Sequence, residues 1–198
     1  LTQRLNTTRH EGGKLAANRR IFHDFTISPP KSVSIVALLE DKRIVAAHDQ
    51  AVRVAMTELE KFAETRVRKA GQQGSRSTGN IVAATFRHET SRGDLDPHLH
   101  THCTVFNATR DAIEGRWKAL QTEGMYRAQK FAENVYYHEL CRALRGLDYE
   151  IENNARDFEI RGVPPHAIAC FSKRHAQIGA EARRQVAQGY DGDIGELR

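Results

Sequence analysis

The apolar residues of this chain change period as the sequence is followed, and each change marks an element. Segment 21–27, IFHDFTI, is rich in aromatic and β-branched residues and predicts a strand. Pro29 and Pro30 break regular structure after it. Lys31 to Leu39 predicts a short helix. Ile44 to Ala70 predicts a longer one, with Val45, Val52, Ala55, Leu59, Phe62 and Ala63 at helical spacing. Residues 71–80, GQQGSRSTGN, read as a flexible connection. Two strands follow, Ile81 to His88 and Leu99 to Phe106, and the polar ETSRGDLDP between them suits a hairpin loop. Asn107 to Gly115 is a connection and RWKAL, residues 116–120, a short edge strand. Thr122 to Leu144 predicts a helix with Met125, Phe131, Val135, Leu140 and Leu144 on its inner face. Tyr149 to Ile160 fits a second small hairpin turning at ENNARD. Pro164 and Pro165 open a last helix running to about Gln188. The mixture, with an antiparallel hairpin at its centre, predicts an α+β fold: a central antiparallel β-sheet with helices packed on it.

The hairpin carries the chemistry. Side chains alternate faces along a strand, so His100 and His102 point the same way. Folding the hairpin brings His88, at the end of the first strand, towards the start of the second. Three imidazoles then converge, and neutral imidazole is the commonest protein ligand for divalent transition metals. Three protein ligands leave coordination positions open, as a catalytic metal requires. His98 shares the parity of His100 and His102 but follows Pro97 beside the loop, so it ranks below them. Cys103 has the opposite parity and reads as packed.

Composition narrows the function classes. A chain of 198 residues suits one domain with a real core. No apolar run reaches membrane-spanning length and no secretory segment is visible. Three widely spaced cysteines make no disulfide framework, which favours a reducing, cytoplasmic setting. The net charge is +5, unevenly spread. Between Glu64 and Glu89 there is no acidic residue, but Arg66, Arg68, Lys69, Arg76 and Arg87 are present. Beside a metal site, such basic groups favour a phosphate-bearing partner.

Four segments then carry a family resemblance: HDFTISPPKSVS (23–34), GNIVAATFRHETSR (79–92), DPHLHTHCTVFN (96–107) and GRWKAL (115–120). In order and spacing they resemble the relaxase domain of TrwC/TraI-type conjugative relaxases, which are HUH endonucleases. The resemblance implies a palm-like HUH fold and a single relaxase domain over residues 1–198. It places His88, His100 and His102 on the family's three metal-binding histidines, with His98 in place of a glutamine that is no ligand. The implied cofactor is one divalent ion, with Mn, Zn, Ni and Mg as the candidates. Asp24 matches the family's acidic residue, expected to orient a metal-binding histidine or assist proton removal from tyrosine. The implied activity is nicking and closing of one strand at an origin of transfer in plasmid conjugation. A tyrosine attacks the scissile phosphate and becomes joined to the 5′ end. The implied partners are single-stranded or hairpin origin DNA and other relaxosome and conjugation proteins. Lys31, Arg87 and Arg92 are the first-choice phosphate contacts.

One departure is large. The family's nucleophilic tyrosines lie near the N-terminus, whereas the first tyrosine here is Tyr126. Tyr136 and Tyr137 sit at helical spacing among core positions and read as packing. The expectation is therefore a relaxase domain without its N-terminal nucleophile segment and without a C-terminal helicase region. Two alternatives stay open. One is a rolling-circle initiator or transposase of the HUH group, with Tyr126, Tyr136 or Tyr137 as nucleophile. The other is a metal- and DNA-binding module with no chemistry of its own.

Overall fold

The computed structural model describes residues 8–11, 14–17, 20–69, 71–91, 95–154, 157–173 and 184. In chain order the elements are β1 (Thr8–Glu11), β2 (Lys14–Ala17), β3 (Phe22–Ile27), α1 (Lys31–Leu39), α2 (Arg43–Glu60), β4 (Glu64–Lys69) and β5 (Gln72–Ser77). Then come β6 (Ala83–Thr90), β7 (Pro97–Phe106), β8 (Thr109–Asp111), β9 (Arg116–Lys118), β10 (Leu120–Gln121), α3 (Glu123–Gly146), β11 (Ile151–Asn153), β12 (Phe158–Ile160) and α4 (Pro165–Cys170). Two three-stranded sheets have the orders β3-β7-β6 and β10-β4-β5, and β1-β2, β8-β9 and β11-β12 form two-stranded pairs. Ser91 N–H donates to Asp96 O at one end of the β6–β7 pair and Phe106 N–H to Val82 O at the other, so the central hairpin is antiparallel. This is the α+β class that the sequence predicts.

The chain gathers into two compact units. The first takes the described residues of Leu1–Thr26, Ala55–Phe86 and His102–Glu133. Its core includes Phe25, Leu59, Ala63, Cys103, Val105, Leu120 and Met125. The second takes those of Ile27–Val54, Arg87–Thr101 and Asn134–Arg198. Its core includes Val33, Val36, Ile44, Leu99, Tyr136, Leu140, Leu144, Phe158 and Ile160.

The prolines before α1 fix where that helix begins, and two serines fix where it lies. Ser32 and Ser34 are fully buried. Ser32 N–H donates to Glu159 Oε2 at 3.0 Å, so a side chain far along the chain caps the helix. Ser32 Oγ accepts from Ile160 N–H at 2.8 Å and Ser34 Oγ from Leu99 N–H at 3.2 Å. The PKSVS run thus binds backbone donors of β12 and β7, and an alanine at either serine would leave a buried N–H unsatisfied.

Several boundaries depart from the sequence reading. The long helix ends at Glu60, not Ala70, and residues 64–69 are a strand. Phe62 and Ala63 close the last turn, and β-branched Thr65 and Val67 then alternate in a strand paired with β5. Segment 72–77 is strand β5, not a flexible connection. It lacks apolar alternation because both of its faces are largely exposed, so its register is set by β4 alone. The connection 107–115 contains strand β8, paired with β9. On α3 the buried stripe is Met125, Ala128, Ala132, Tyr136, Leu140 and Leu144. Phe131 is 48% exposed and only edges onto Phe62, and Val135 is half-buried, so the inner face lies one residue away from those two. The last helix is seen from Pro165 to Cys170, and most of its expected continuation lies outside the described residues.

Candidate metal and DNA site

Strand β7 separates its residues cleanly by parity. Leu99, Thr101, Cys103 and Val105 are buried, whereas His98, His100, His102 and Thr104 are half-buried. The histidine face therefore remains reachable while the other face enters the core. Burial pushes the Cys103 thiol up to about 12, with the Asp24 carboxylate adding to it, so it stays a protonated core side chain and no metal ligand.

In the second unit, the hairpin sets the rings of His88 and His100 5.2 Å apart. The His98 ring lies 4.6 Å from that of His100. His100 Nδ1–H donates to the carbonyl oxygen of His98 at 2.9 Å. A carbonyl only accepts, so the hydrogen sits on Nδ1 and the lone pair on Nε2.

In the first unit, His102 is held the same way by a stronger partner. Its Nδ1–H donates to Asp24 Oδ2 at 2.6 Å. Thr26 Oγ1 stands 3.1 Å from the same nitrogen and donates to Asp24 Oδ2 at 3.4 Å. The His102 and Asp24 side chains are 28% and 39% exposed, so a ligand can reach both. Asp24 and Thr26 share a face of β3 because they are two residues apart, while His23 and Phe25 are buried on the other. A carboxylate behind an imidazole fixes its tautomer and ring orientation, the usual arrangement behind a metal-bound histidine. In both strand histidines the hydrogen therefore sits on Nδ1 and the lone pair on Nε2. Imidazole nitrogens are donors that suit a borderline divalent ion. Among the described residues, no three His, Cys, Asp or Glu side chains are already gathered around an ion-sized space.

The expected phosphate contacts have varied surroundings. Lys31 is half-buried at the start of α1, and its Nζ donates to Pro97 O at 3.0 Å. Burial lowers its pKa, with the Asp96 carboxylate acting the other way. Arg87 is ion-paired to Asp49 on α2, with Glu89 at 3.7 Å. Arg92 lies outside the described residues.

Tyr136 and Tyr137 fall where packing predicts. Tyr136 is fully buried, and its hydroxyl bonds His48 at 2.7 Å. Tyr137 packs edge-on to Phe158. Tyr126 sets its hydroxyl 3.2 Å from His23 Nδ1 and its ring against Phe25, on the face of β3 opposite Asp24. Sequence reasoning missed Thr26 and His48. Thr26 could have been found from its shared parity with Asp24, whereas His48 carries no signal apart from its helical position.

The model of the TrwC relaxase family matches residues 1–195. The chain belongs to the TrwC relaxase family. It is 41% identical over 169 residues to the multifunctional conjugation protein TraI of Escherichia coli and 39% identical to that of strain K12, the alignments taking in 79% of this chain. The chain spans 9% of the length of these two relatives. Among solved structures it is similar to the conjugative relaxase TrwC in complex with oriT DNA in a copper-bound state. That match has 36% identity and a TM-score of 0.79, covering 91% of this chain and 60% of that one. It is also similar to TrwC complexed with a 27-mer DNA comprising the recognition hairpin and the cleavage site. Here the identity is 32% and the TM-score 0.80, covering 95% of this chain and 66% of that one.

Proposed function

We propose that this chain is a relaxase domain that binds origin-of-transfer DNA as a single strand or hairpin and takes part in nicking and closing it in plasmid conjugation. The observation that carries the reading is the Asp24–His102 pair on the reachable face of β7, two residues from the His88–His100 contact. His88, His100 and His102 are the ligands of one divalent ion. Copper- and metal-bound states of the similar TrwC support a metal without fixing which one this chain uses. Bound there, the ion supplies Lewis-acid polarisation of a scissile phosphate oxygen.

The chain's own residues orient the site and hold the phosphates. Asp24 holds His102 in the Nε2-presenting tautomer, and Thr26 steadies the carboxylate. Lys31 and Arg92 are the phosphate contacts, and Arg87 joins them on release from Asp49. The attacking group is a tyrosine hydroxyl of the family type. Its phenolic oxygen gives up a proton and bonds to phosphorus as the bond from phosphorus to the 3′ oxygen breaks, the 3′ oxygen takes up a proton, and the phosphotyrosine retains the bond energy for closing. Relaxosome and conjugation proteins are the expected partners and the cytoplasm the expected setting. Among the described residues no helix is long and apolar enough to cross a membrane.

Titration of the purified chain with Mn²⁺ tests the site. His88→Ala, His100→Ala and His102→Ala should each weaken binding by more than about tenfold, and His98→Ala much less. Loss of binding in His98→Ala with none in His88→Ala would overturn the ligand set. Oligonucleotide binding should favour single strands or hairpins over plain duplex and weaken steeply with salt.

A further inference from the structure

Thr101 lies between the two strand histidines and points to the opposite face of β7. It is buried, and so are His48 on α2 and Tyr136 on α3. His48 Nε2 is 2.8 Å from Thr101 Oγ1, and its Nδ1 is 2.7 Å from the Tyr136 hydroxyl. Both ring nitrogens are therefore engaged, each hydroxyl has a partner, and the three groups form a continuous chain linking two helices to one strand residue. Two residues earlier, Leu99 N–H is bound by Ser34 Oγ. His100 thus sits between two anchored positions of its own strand.

A core of apolar side chains would be simpler here, because buried polar groups stabilise little on balance and are costly when left unpaired. What they add is direction. Apolar packing resists exposure but not small rotations, whereas a bonded imidazole fixes a strand in rotation and register. A slip of one residue in β7 would bring Leu99, Thr101 and Cys103 to the open face in place of the histidines.

We propose that His48 and Tyr136 are positioning residues for the histidine face: they clamp β7 at Thr101 and thereby fix the aim of His100 and His102. The inference rests on the metal reading for its affinity measurement only.

The test uses Thr101→Val, which keeps the shape and removes the hydroxyl, Tyr136→Phe, which removes only Oη, and Thr101→Ser, which restores the donor. Leu144→Ala serves as a core variant that lowers stability without touching the chain of hydrogen bonds. Mn²⁺ affinity should fall about three- to tenfold in Thr101→Val and Tyr136→Phe, less than for a direct partner of a ligand. Thr101→Ser and Leu144→Ala should stay near wild type. Long-range ¹H–¹⁵N spectra of the metal-free protein should show broadened or doubled imidazole signals for His100 and His102 in Thr101→Val. Wild-type affinity and unchanged imidazole signals in Thr101→Val would overturn the proposal and leave the network a stability element. If the wild-type chain takes up no Mn²⁺, the metal reading falls, and the imidazole spectra alone then decide the positioning role.

Discussion

His48 and His102 are the same residue in opposite circumstances. His48 is fully buried between two hydroxyls, and burial lowers its pKa to about 4, with Arg87 and His100 adding to the effect. It is a neutral structural group at any ordinary pH. His102 is partly exposed and has a carboxylate behind it. One imidazole uses both nitrogens inside the protein. The other gives its Nδ1–H to Asp24 and carries its lone pair on Nε2. The contrast shows that the histidine count of a sequence says little about sites, whereas the partner of each Nδ1 says a great deal.

The largest effect should come from the buried side. His48→Leu leaves the Tyr136 and Thr101 hydroxyls without their partner, at about 1–3 kcal/mol for each stranded group. Chemical denaturation should show a stability loss of about 3 kcal/mol or more, and a loss below about 1 kcal/mol would remove His48 from the core's polar framework.

Acid gives the next largest effect. The unfolded chain binds a proton at His48 near pH 6.5, whereas the folded chain resists it down to about pH 4. The contribution is fully present above about pH 6.5 and is lost as the pH falls from there towards 4. Its full size is on the order of 3 kcal/mol. Denaturation curves at pH 7, 6 and 5 should lose this component in His48→Leu, and an unchanged pH slope in that variant would contradict it.

Asp24→Asn attacks the other side of the comparison. It should weaken metal binding by about 10–100-fold, and stability should change little because the pair is partly exposed. Isothermal titration and a melting curve on the same sample read both. A large fall in melting temperature with intact affinity would make Asp24–His102 a structural pair after all.

The smallest effect belongs to Arg87. Its pair with Asp49 is about 38% and 32% exposed, so Arg87→Ala should cost no more than about 1 kcal/mol. Asp49→Ala should instead strengthen single-strand binding at low salt, by releasing Arg87 to phosphate. An unchanged or weakened affinity would take Arg87 off the interface.

Much of this was legible in the sequence, and for identifiable reasons. Strands β3 and β7 and helix α1 carry residue types and proline boundaries that admit one reading, so their limits agree to within a residue or two. The parity of His100 and His102 follows from strand geometry alone. Strand β5 was not legible, because a ribbon exposed on both faces needs no apolar period. The inner face of α3 was misjudged at Phe131 because a large aromatic was preferred to the small Ala128 and Ala132, which are the buried positions. The role of His48 depends on partners 53 and 88 residues away and has no local signature.

The serines of α1 have a consequence for the order in which the chain acquires structure. The cap of the helix comes from Glu159, 127 residues downstream, and Ser32 receives Ile160 from 128 residues away. Ser34 meets Leu99 at a separation of 65. A nine-residue helix is marginal alone, so α1 should consolidate late, after its distant partners have left the ribosome. Until then a nascent chain carries an apolar stretch, Val33 to Leu39, with no settled home. Pulse-labelling hydrogen exchange during refolding should find its amides among the last to gain protection.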